Sequence, residues 1–391
     1  MRKRILFLLI LFYLFFFSGS YLLGKKLEEA RNQEISGVQE QIEIPTIIPE
    51  AIPTPIPREE EILAAMSDEE KVGQLFIYGI EGNITLEPQN KQFLIDTKPG
   101  GIILFSKNIT DENQLRTLIQ EIQSTNPNIP LFISIDQEGG VVSRLKWNDT
   151  LTKSQESIAT PQQAYDIARS RGEILKNLGI NMNLAPVAEI NERASSFMYK
   201  RAYKGNIDEI IRKVSSSVKG YKEWNIIPVL KHFPGHGDTN VDPHKTLPKI
   251  DITQEQWDSY ILPFSKTIGE NTVDAIMVGH ILFPNISPEP ATISKEIITN
   301  RLRTQLAYEG LIISDDMEMN ALKSIDTPAN IAKRSIESGV DILIYGKYTN
   351  DDKYSQRVAY NSILNEVKGG EMNIDDHVLR ILRIKIKNGM F

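Results

Sequence analysis

The sequence contains no cysteine and has more acidic than basic side chains. Without cysteine the chain can form no disulfide scaffold, no thiol nucleophile, no Cys-ligated zinc or iron–sulfur centre and no lipid anchor on a cysteine. The net charge of −7 argues against general nucleic-acid binding, which needs a basic face, so no nucleic-acid partner is expected. Hydrophobic residues make up 41% of the 391 residues, which is enough to bury a core. This length allows two or three domains, or one large α/β barrel.

The N-terminus is basic and continues as a long apolar run. Residues 5–17 are all apolar or aromatic, and the run reaches Leu23 across a short Ser-Gly-Ser interruption. As a helix, residues 5–23 would span roughly 28 Å, close to the thickness of a bilayer core. The basic start predicts a cytoplasmic N-terminus and an exported remainder. We therefore predict a membrane anchor over residues 1–24 and a catalytic domain outside the cytoplasmic membrane. A cleaved signal peptide, giving a secreted protein, and a buried helix are the alternatives.

A polar and then proline-rich segment follows, which we predict to be a linker over residues 25–59. Five prolines between positions 45 and 57 prevent a packed helix and favour an extended spacer. The catalytic domain is predicted to occupy residues 60–391. Near its start, Ser67 is placed to cap a helix, and Glu70 stands three residues later, where it completes a capping box.

Short apolar runs alternate with amphipathic stretches through the rest of the chain. Leu115, Leu118, Ile119 and Ile122 have the spacing of one helix face. Near-continuous apolar runs separated by helices indicate parallel strands covered on both faces. Eight runs predict a single (β/α)8 TIM-like barrel, with an open doubly wound sheet as the alternative. The eight runs are 75–78, 101–105, 131–135, 181–187, 226–231, 275–279, 311–314 and 341–345.

Polar side chains concentrate just after these runs. Three of the 5 histidines fall within residues 231–244, KHFPGHGDTNVDPH, which begin at the end of the fifth run. Other strand ends carry further polar residues, and in a barrel this face holds the active site, so a shared site is predicted. The residues at the other strand ends are Asp136, Gln137, Glu138, Glu189, His280, Asp315 and Asp316.

These residue types support a specific set of reactions. A carboxylate at a strand end is a candidate nucleophile or general base, and a nearby His–Asp pair can be an oriented proton donor. Together they are the minimum for glycosidic cleavage through a covalent intermediate. A divalent metal site is the alternative, but the ammonium group of Lys231 beside the ligands argues against it. The candidate ligands would be His232, His236, Asp238, Asp242 and His244.

Several blocks of the sequence, taken in order, resemble glycoside hydrolase family 3 in its β-N-acetylglucosaminidase branch. The 231–244 block resembles the signature of that branch. The remaining blocks are GGIILFSKNI (100–109), IDQEGGVVSRL (135–145), NLAPVAEI (183–190) and ATISKEIITNRLRTQLAYEGLIISDDMEM (291–319). The resemblance covers the chain from about residue 62 to its end and implies a (β/α)8-like catalytic barrel.

The resemblance implies a catalytic role for three residues. Asp315, the first aspartate of Ser-Asp-Asp, matches the nucleophile that forms the glycosyl-enzyme intermediate. His244, with Asp242 behind it, matches the acid/base dyad that marks the branch. Pro243 stands between them where the family usually has serine, and its fixed φ and missing N–H would stiffen the loop or alter how the dyad meets.

The resemblance also implies a set of substrate-binding residues. Asp136 resembles the carboxylate that binds the 4- and 6-hydroxyls of the sugar, and Lys231 and His232 resemble the pair that binds ring hydroxyls. Arg201 aligns with the arginine of a degraded block, and Arg144, after Glu-Gly-Gly, is interpreted as more peripheral. Remaining polar residues are interpreted as hydrogen-bonding partners or as loop-shaping residues: Glu138, Glu189, which replaces a family aspartate, His280, His236 and Asp238.

The function implied by the resemblance is exo-acting, retaining hydrolysis of terminal β-linked N-acetylglucosamine, with no metal or organic cofactor. Export suggests peptidoglycan fragments as the carbohydrate substrate, and a monomer is expected. Three alternatives stay open: a β-glucosidase or β-xylosidase of the same family, a β-N-acetylglucosaminide phosphorylase, and a non-catalytic carbohydrate-binding protein. The first typically takes its acid/base from a second domain, which is not evident after the eighth strand. Comparing sugar 1-phosphate with free sugar as product would separate phosphorolysis from hydrolysis.

Overall fold

The computed structural model describes most of the chain outside the N-terminal 55 residues. The described residues are 21, 23–31, 56–80, 84–270, 272–346 and 355–391. The chain divides into two units, Met1–Pro55 and Ile56–Phe391. No helix within the described residues is long and apolar enough to cross a membrane. Apart from residues 21 and 23, the predicted anchor over 5–23 lies outside the described residues, so the anchor stays a prediction.

Eight parallel strands of the second unit close into a barrel, which confirms the predicted (β/α)8 architecture and rules out the open sheet. The strands are β1 (Phe76–Gly79), β2 (Gly101–Leu104), β3 (Phe132–Ile135), β4 (Gln137–Gly139), β5 (Val142–Ser143), β6 (Met182–Asn183), β7 (Ile227–Phe233), β8 (Ala275–Val278), β9 (Leu311–Asp316) and β10 (Ile342–Tyr345). The order around the barrel is β1-β2-β3-β6-β7-β8-β9-β10, and β10 pairs with β1. Strands β4 and β5 form a separate antiparallel pair.

Each of the eight predicted apolar runs supplies one barrel strand, because the strands are buried on both faces. Every residue of β1, β2, β3 and β7 is buried. Close approach of neighbouring backbones limits side-chain size at some positions. At Gly101, a Cβ atom would lie 2.6 Å from the carbonyl oxygen of Phe132, so only glycine fits there without a shift.

Helices cover the outside of the barrel. Ser67 and Glu70 form the predicted capping box, and Leu115 and Ile122 belong to the buried face of their helix, as predicted. The α-helices of the second unit are Arg58–Ala65, Asp68–Gln74, Pro88–Thr97, Glu112–Gln123, Asp149–Thr152, Pro161–Leu178, Ile207–Lys222, Gln254–Tyr260, Leu262–Gly269, Asn320–Lys323, Pro328–Glu337, Ser355–Gly369 and Asp375–Lys387. A π-helix spans Glu296–Gln305, and 3₁₀ turns span Ser106–Asn108, Gln155–Ser157 and Ala291–Ile293.

Buried ion pairs occupy the amino-terminal end of the barrel. Asp274, just before β8, accepts hydrogen bonds from Lys222 (2.9 Å) and Lys387 (2.7 Å). Asp341, just before β10, accepts from His377 at 3.0 Å and from two arginines. A groove of about 460 Å³ opens beside Asp274, but both carboxylate oxygens are already paired. This end of the barrel therefore contributes to stability. In barrels of this kind the active site lies at the opposite end, where the strands have their carboxyl ends.

Candidate active site

The carboxyl ends of the barrel strands surround one cavity of about 130 Å³. All the residues to which the resemblance gives a catalytic or substrate-binding role line it, except Asp242, which lies directly behind His244. The other polar residues predicted at the strand ends, Gln137, Glu138, Glu189, His280 and Asp316, lie outside the lining. These residues come from strand ends, and from the segments that follow them, that are far apart in the chain and meet only because the barrel closes. The lining residues are Asp136, Val142, Arg144, Phe197, Arg201, Lys231, His232, His236, Pro243, His244, Asp315 and Met319.

One wall of the cavity is a chain of alternating charges. Asp136 accepts from Arg144 (3.1 Å) and from the Lys231 ammonium group (2.7 Å). The same ammonium lies 2.7 Å from Glu138, which also accepts two hydrogen bonds from Arg201. Burial alone would raise the pKa of Asp136, but the charges of Lys231 and Arg144 outweigh burial and lower it. The charged side chains of the wall are therefore held in fixed orientations by one another before a ligand binds.

Glu189 holds the two histidines that begin the loop after β7. Its carboxylate accepts from the backbone N–H groups of His232 and His236 and lies 2.7 and 3.1 Å from their Nδ1 atoms. Burial would raise the pKa of Glu189, but the charges and hydrogen bonds of both histidines hold it well below its usual range. An ionised carboxylate only accepts, so each Nδ1 carries its hydrogen. The Glu189 carboxylate therefore fixes the start of this loop.

The same three residues are the group with metal-ligand spacing among those the structure describes. Atoms of Glu189, His232 and His236 lie within 4.8 Å of one another. Their distances are those of hydrogen bonds, and Arg201 approaches Nε2 of His232 at 3.4 Å, which places a cation beside the cluster. This donor set therefore fits a hydrogen-bonded cluster better than a cation site. The wider ligand set considered from the sequence is not brought together.

Asp315 lies at the carboxyl end of β9, half-buried and facing the cavity. Burial would raise its pKa, but His232, His280, the N–H of Asp316 and Lys231 together lower it. His280 holds the same strand end through the backbone, because its Nε2 lies 2.9 Å from the carbonyl oxygen of Asp316. The carboxylate is therefore ionised at neutral pH.

The neighbouring Asp316 has the opposite electrostatic behaviour. One carboxylate oxygen accepts from the N–H groups of Glu318 and Gly346, both at 3.1 Å, and so ties β9 to the end of β10. Burial, with smaller effects from Glu318 and Asp315, raises the pKa of Asp316 to about 6. Two adjacent carboxyls thus titrate differently, and only Asp315 belongs to the cavity wall.

We expect Asp316→Asn to stabilise the fold at neutral pH. The raised pKa favours the protonated form in the folded state, so the stability that Asp316 contributes is fully present below about pH 4 and is lost as pH rises through 6. Each pKa unit is worth about 1.4 kcal/mol, so the amide should gain roughly 2 to 3 kcal/mol at pH 7.5. Urea unfolding at pH 4 and 7.5 measures the difference. Asp315→Asn is the matched control, because the lowered pKa of Asp315 stabilises the wild type when the carboxylate is ionised, so this variant should be less stable than the wild type at pH 7.5 and closer to it at pH 4. Equal pH profiles for the two variants would contradict this assignment.

Asp242 and His244, the acid/base dyad that the resemblance implies, are in contact. Oδ1 of Asp242 accepts from the backbone N–H of His244 (2.9 Å) and lies 2.8 Å from its Nδ1. Burial would raise the pKa of Asp242, but the hydrogen bonds and charge of His244 lower it. Nδ1 therefore carries the hydrogen, and Nε2 is left for proton transfer. The imidazole is 65% exposed, so a ligand can reach it. Pro243 does not prevent this contact, because Asp242 bonds across it.

Two backbone hydrogen bonds and the side chain of Asp238 hold the dyad loop over the cavity. The carbonyl oxygen of Pro243 accepts from the N–H of Ala321 at 3.2 Å, which ties the loop to the segment after Asp315. The N–H of Phe197 donates to the Thr239 carbonyl at 2.9 Å. Asp238, interpreted as loop-shaping, accepts from two N–H groups of the segment after β6 at 2.9 Å each. The loop is thus anchored beside the strand that carries Asp315.

Sequence reasoning missed part of the cavity wall. Val142, Phe197 and Met319 line it, and the ring of Phe197 makes an edge contact with that of His244 at 6.5 Å between centroids. The sequence gives no signal that marks these apolar residues as site residues, since an isolated apolar side chain resembles any core residue. Arg144, interpreted as peripheral, also lines the cavity and pairs with Asp136.

Comparisons with known proteins agree with this architecture. The glycosyl hydrolase family 3 N-terminal domain matches residues 67–384. Beta-hexosaminidase A of Pseudoalteromonas piscicida is 31% identical over 285 residues, which cover 66% of this chain and 48% of that protein. The beta-hexosaminidase of Shewanella frigidimarina (strain NCIMB 400) is 31% identical over 279 residues, covering 68% of this chain and 78% of that protein. The chain thus spans about half the length of the first relative.

A solved structure shares the fold. The family 3 beta-N-acetylglucosaminidase from Paenibacillus sp. str. FPU-7 superposes with a TM-score of 0.77 at 33% identity, over 83% of this chain and 63% of that one. The family match covers most of the chain and includes every strand of the barrel. The chain therefore belongs to glycosyl hydrolase family 3.

Proposed function

We propose that the protein is a retaining β-N-acetylglucosaminidase that removes terminal β-linked N-acetylglucosamine. The observation that carries the proposal is that Asp315 and His244 line one cavity, with Asp242 bonded behind the imidazole. A carboxylate and a separate proton donor at one cavity are what the two-step displacement needs. The small cavity, as opposed to a long cleft, supports attack on the last sugar of a chain.

In the first step the Asp315 carboxylate attacks the anomeric carbon and forms a glycosyl ester. The bond from that carbon to the aglycone oxygen breaks, and the protonated His244 donates its Nε2 proton to the departing oxygen. The aglycone leaves as an alcohol, and the imidazole becomes neutral. Asp242 keeps the ring in one orientation and stabilises its charged form by accepting from Nδ1.

In the second step water attacks the same carbon from the opposite side. Nε2 of His244 takes a proton from the water as the ester bond breaks, which regenerates the Asp315 carboxylate and the protonated imidazole. Two successive inversions retain the configuration of the sugar. Each proton is thus passed between the imidazole and one oxygen, and no other acid or base is required.

The charged wall of the cavity would bind the sugar hydroxyls. Asp136 can accept from two adjacent hydroxyls, while Lys231 and Arg144 can donate to them and are already oriented by the same carboxylate. Arg201 and His232 stand further along the wall, 3.4 Å apart. Because these groups are held by one another, less freedom is lost when the sugar is aligned for attack.

The identity of the sugar rests on similarity. The two relatives compared above are named beta-hexosaminidase, and the Paenibacillus protein is named a beta-N-acetylglucosaminidase. Peptidoglycan contains N-acetylglucosamine β-linked to N-acetylmuramic acid. We therefore propose muropeptide fragments as the natural substrate class, provided that the catalytic domain is exported.

Hydrolysis of a chromogenic N-acetyl-β-glucosaminide, compared with the corresponding β-glucoside, tests the activity. We expect the full chain to cleave the N-acetyl substrate and to release β-configured N-acetylglucosamine first, as followed by NMR. The same assay with added inorganic phosphate distinguishes the alternative, because a phosphorylase would release the sugar 1-phosphate. Preference for the glucoside would favour the glucosidase alternative, and no turnover on any glycoside would leave a carbohydrate-binding protein.

The location of the enzyme forms a separate proposal. We propose that residues 1–24 anchor it to the cytoplasmic membrane with the barrel on the outer side, and this rests on the apolar run after Arg4. The full chain should sediment with membranes, resist alkaline washing and be released by detergent, while Leu11→Asp should abolish this behaviour. A product shortened by about 20 residues would support the signal-peptide alternative. Recovery of the unprocessed chain in the soluble fraction would refute the proposal.

A further inference from the structure

Glu138 lies behind the cavity wall, between two cations that line the cavity. Its side chain is 1% exposed and is absent from the lining itself. Arg201 donates through Nε to one carboxylate oxygen at 2.9 Å and through NH2 to the other at 2.7 Å. Lys231 lies 2.7 Å from that second oxygen. Because Nζ of Lys231 and NH2 of Arg201 each lie 2.7 Å from the same oxygen, these two nitrogens can be no more than twice that distance apart.

Two positive groups this close in a poorly hydrated wall repel each other strongly unless an anion lies between them. Asp136 compensates Lys231 but makes no ion pair with Arg201 in the part of the chain described here. Glu138 is the carboxylate that both cations share. Burial would raise the pKa of Glu138, but the charges and hydrogen bonds of Arg201 and Lys231 lower it to about 2. It is therefore ionised throughout the working range of an enzyme.

Without that carboxylate, the three cations of the cavity would outnumber its two lining carboxylates, Asp136 and Asp315, which leaves the uncompensated positive charge that an anion site needs. Arg144, Lys231 and Arg201 all line the cavity, and guanidinium and ammonium groups are the usual protein ligands of phosphate. A sugar has no formal charge at its hydroxyls and needs donors in fixed positions. An inorganic anion needs uncompensated positive charge. The same three side chains can serve either ligand, and the compensating carboxylates decide which.

We propose that Glu138 is a positioning residue that aims Lys231 and Arg201 at sugar hydroxyls and neutralises them, so that the cavity rejects inorganic phosphate. The inference deepens the proposed hydrolase function and rests on it for the identity of the sugar. Exclusion of phosphate leaves water as the acceptor in the second step, because phosphate would have to enter the same cavity to take the glycosyl group from Asp315.

The variant Glu138→Gln keeps the size of the side chain but removes its charge. We expect the KM for the chromogenic N-acetyl-β-glucosaminide to rise about tenfold or more, by a larger factor than kcat falls, because the two donors lose their common alignment. We also expect phosphate to bind at least about tenfold more tightly than to the wild type and to become an inhibitor. Glu138→Asp restores the charge but is too short to reach both cations, so its KM should stay raised while its phosphate affinity stays at the wild-type level.

Calorimetric titration of inorganic phosphate into the full chain measures the anion affinity, with ionic strength held constant by sodium chloride. Asp274→Asn is the matched control. That carboxylate is also 1% exposed and also bonded to two cations, but at the other end of the barrel. It should lower the unfolding temperature to a similar extent as Glu138→Gln without changing KM, and any phosphate that binds at that end of the barrel should not inhibit turnover.

Unchanged phosphate affinity in Glu138→Gln overturns the proposal, and so does a KM within twofold of the wild type. If Glu138→Gln does not fold, Glu138→Asp decides, since an unchanged KM there would show that alignment by this side chain is unimportant. Phosphate binding is measured without turnover. A wild-type chain that cleaves no N-acetyl-β-glucosaminide would therefore refute the proposed function while leaving the anion result interpretable.

Discussion

The substitution Asp315→Asn is expected to lower kcat by about 10⁴-fold or more, with little change in substrate binding. The amide has nearly the shape of the carboxylate, and its oxygen can still accept from the N–H of Asp316, as Oδ1 does now at 2.8 Å. It cannot form the glycosyl ester, and it has no charge to stabilise the oxocarbenium-like transition state. The loss corresponds to about 5.5 kcal/mol of transition-state stabilisation. Steady-state kinetics with a chromogenic N-acetyl-β-glucosaminide measure it.

Two controls make this test specific. Asp316→Asn changes the adjacent residue in the same way but outside the cavity wall, so it should keep most of its activity. In Asp315→Ala, added azide fits the vacated space and attacks from the nucleophile's side, so turnover should recover and yield an α-configured glycosyl azide. If Asp315→Asn retained more than a few per cent of wild-type kcat, the nucleophile would have to be another group.

Removing the imidazole with His244→Ala should reduce kcat/KM by about 10² to 10⁴-fold for substrates with an alcohol leaving group. Such an oxygen cannot depart without a proton. A dinitrophenyl glycoside should lose far less, because its phenolate leaves unprotonated, although its kcat will fall as the second step loses its base. Asp242→Asn should lower the activity on both kinds of substrate as well, but by a smaller factor, because the imidazole remains and loses only its ionised partner.

A histidine at the other end of the barrel supplies the control. His377 bonds to Asp341 at 3.0 Å and stands far from the cavity lining, so His377→Ala should leave the ratio between the two leaving groups unchanged. Equal losses on both leaving groups in His244→Ala would indicate a structural effect and would contradict the acid/base assignment.

Local sequence patterns predicted the barrel well because its strands and helices depend mainly on short-range signals. Each apolar run had to be buried, so it became a strand, and the face carrying Leu115 and Ile122 packed inward as its spacing indicates. The side chains of Ser67 and Glu70 each accept a hydrogen bond from the other residue's backbone N–H, within one helical turn. This helix start could therefore also be predicted from the sequence. The polar residues after the strands could be assigned to one end of the barrel, because all parallel strands have their carboxyl ends on the same side.

What the sequence could not determine is which of those residues touch. Lys231 and Asp136 are 95 positions apart, and Glu138 and Arg201 are 63 apart, so their pairing depends on how far each strand projects into the barrel mouth. Only the folded structure shows that Glu138 joins two cations. Only the folded structure also places Phe197 in the wall and ties the dyad loop to Ala321 through Pro243.

The sequence by itself determined the strand number, the helix faces and the set of residue types available for chemistry. These follow from burial and hydrogen bonding over a few neighbouring residues. The tertiary structure alone decided the partner of each charge and the enclosure of the cavity. Ion pairs and loop contacts are energetically sensitive to distances of about an ångström, and those distances are set only when all eight strands close.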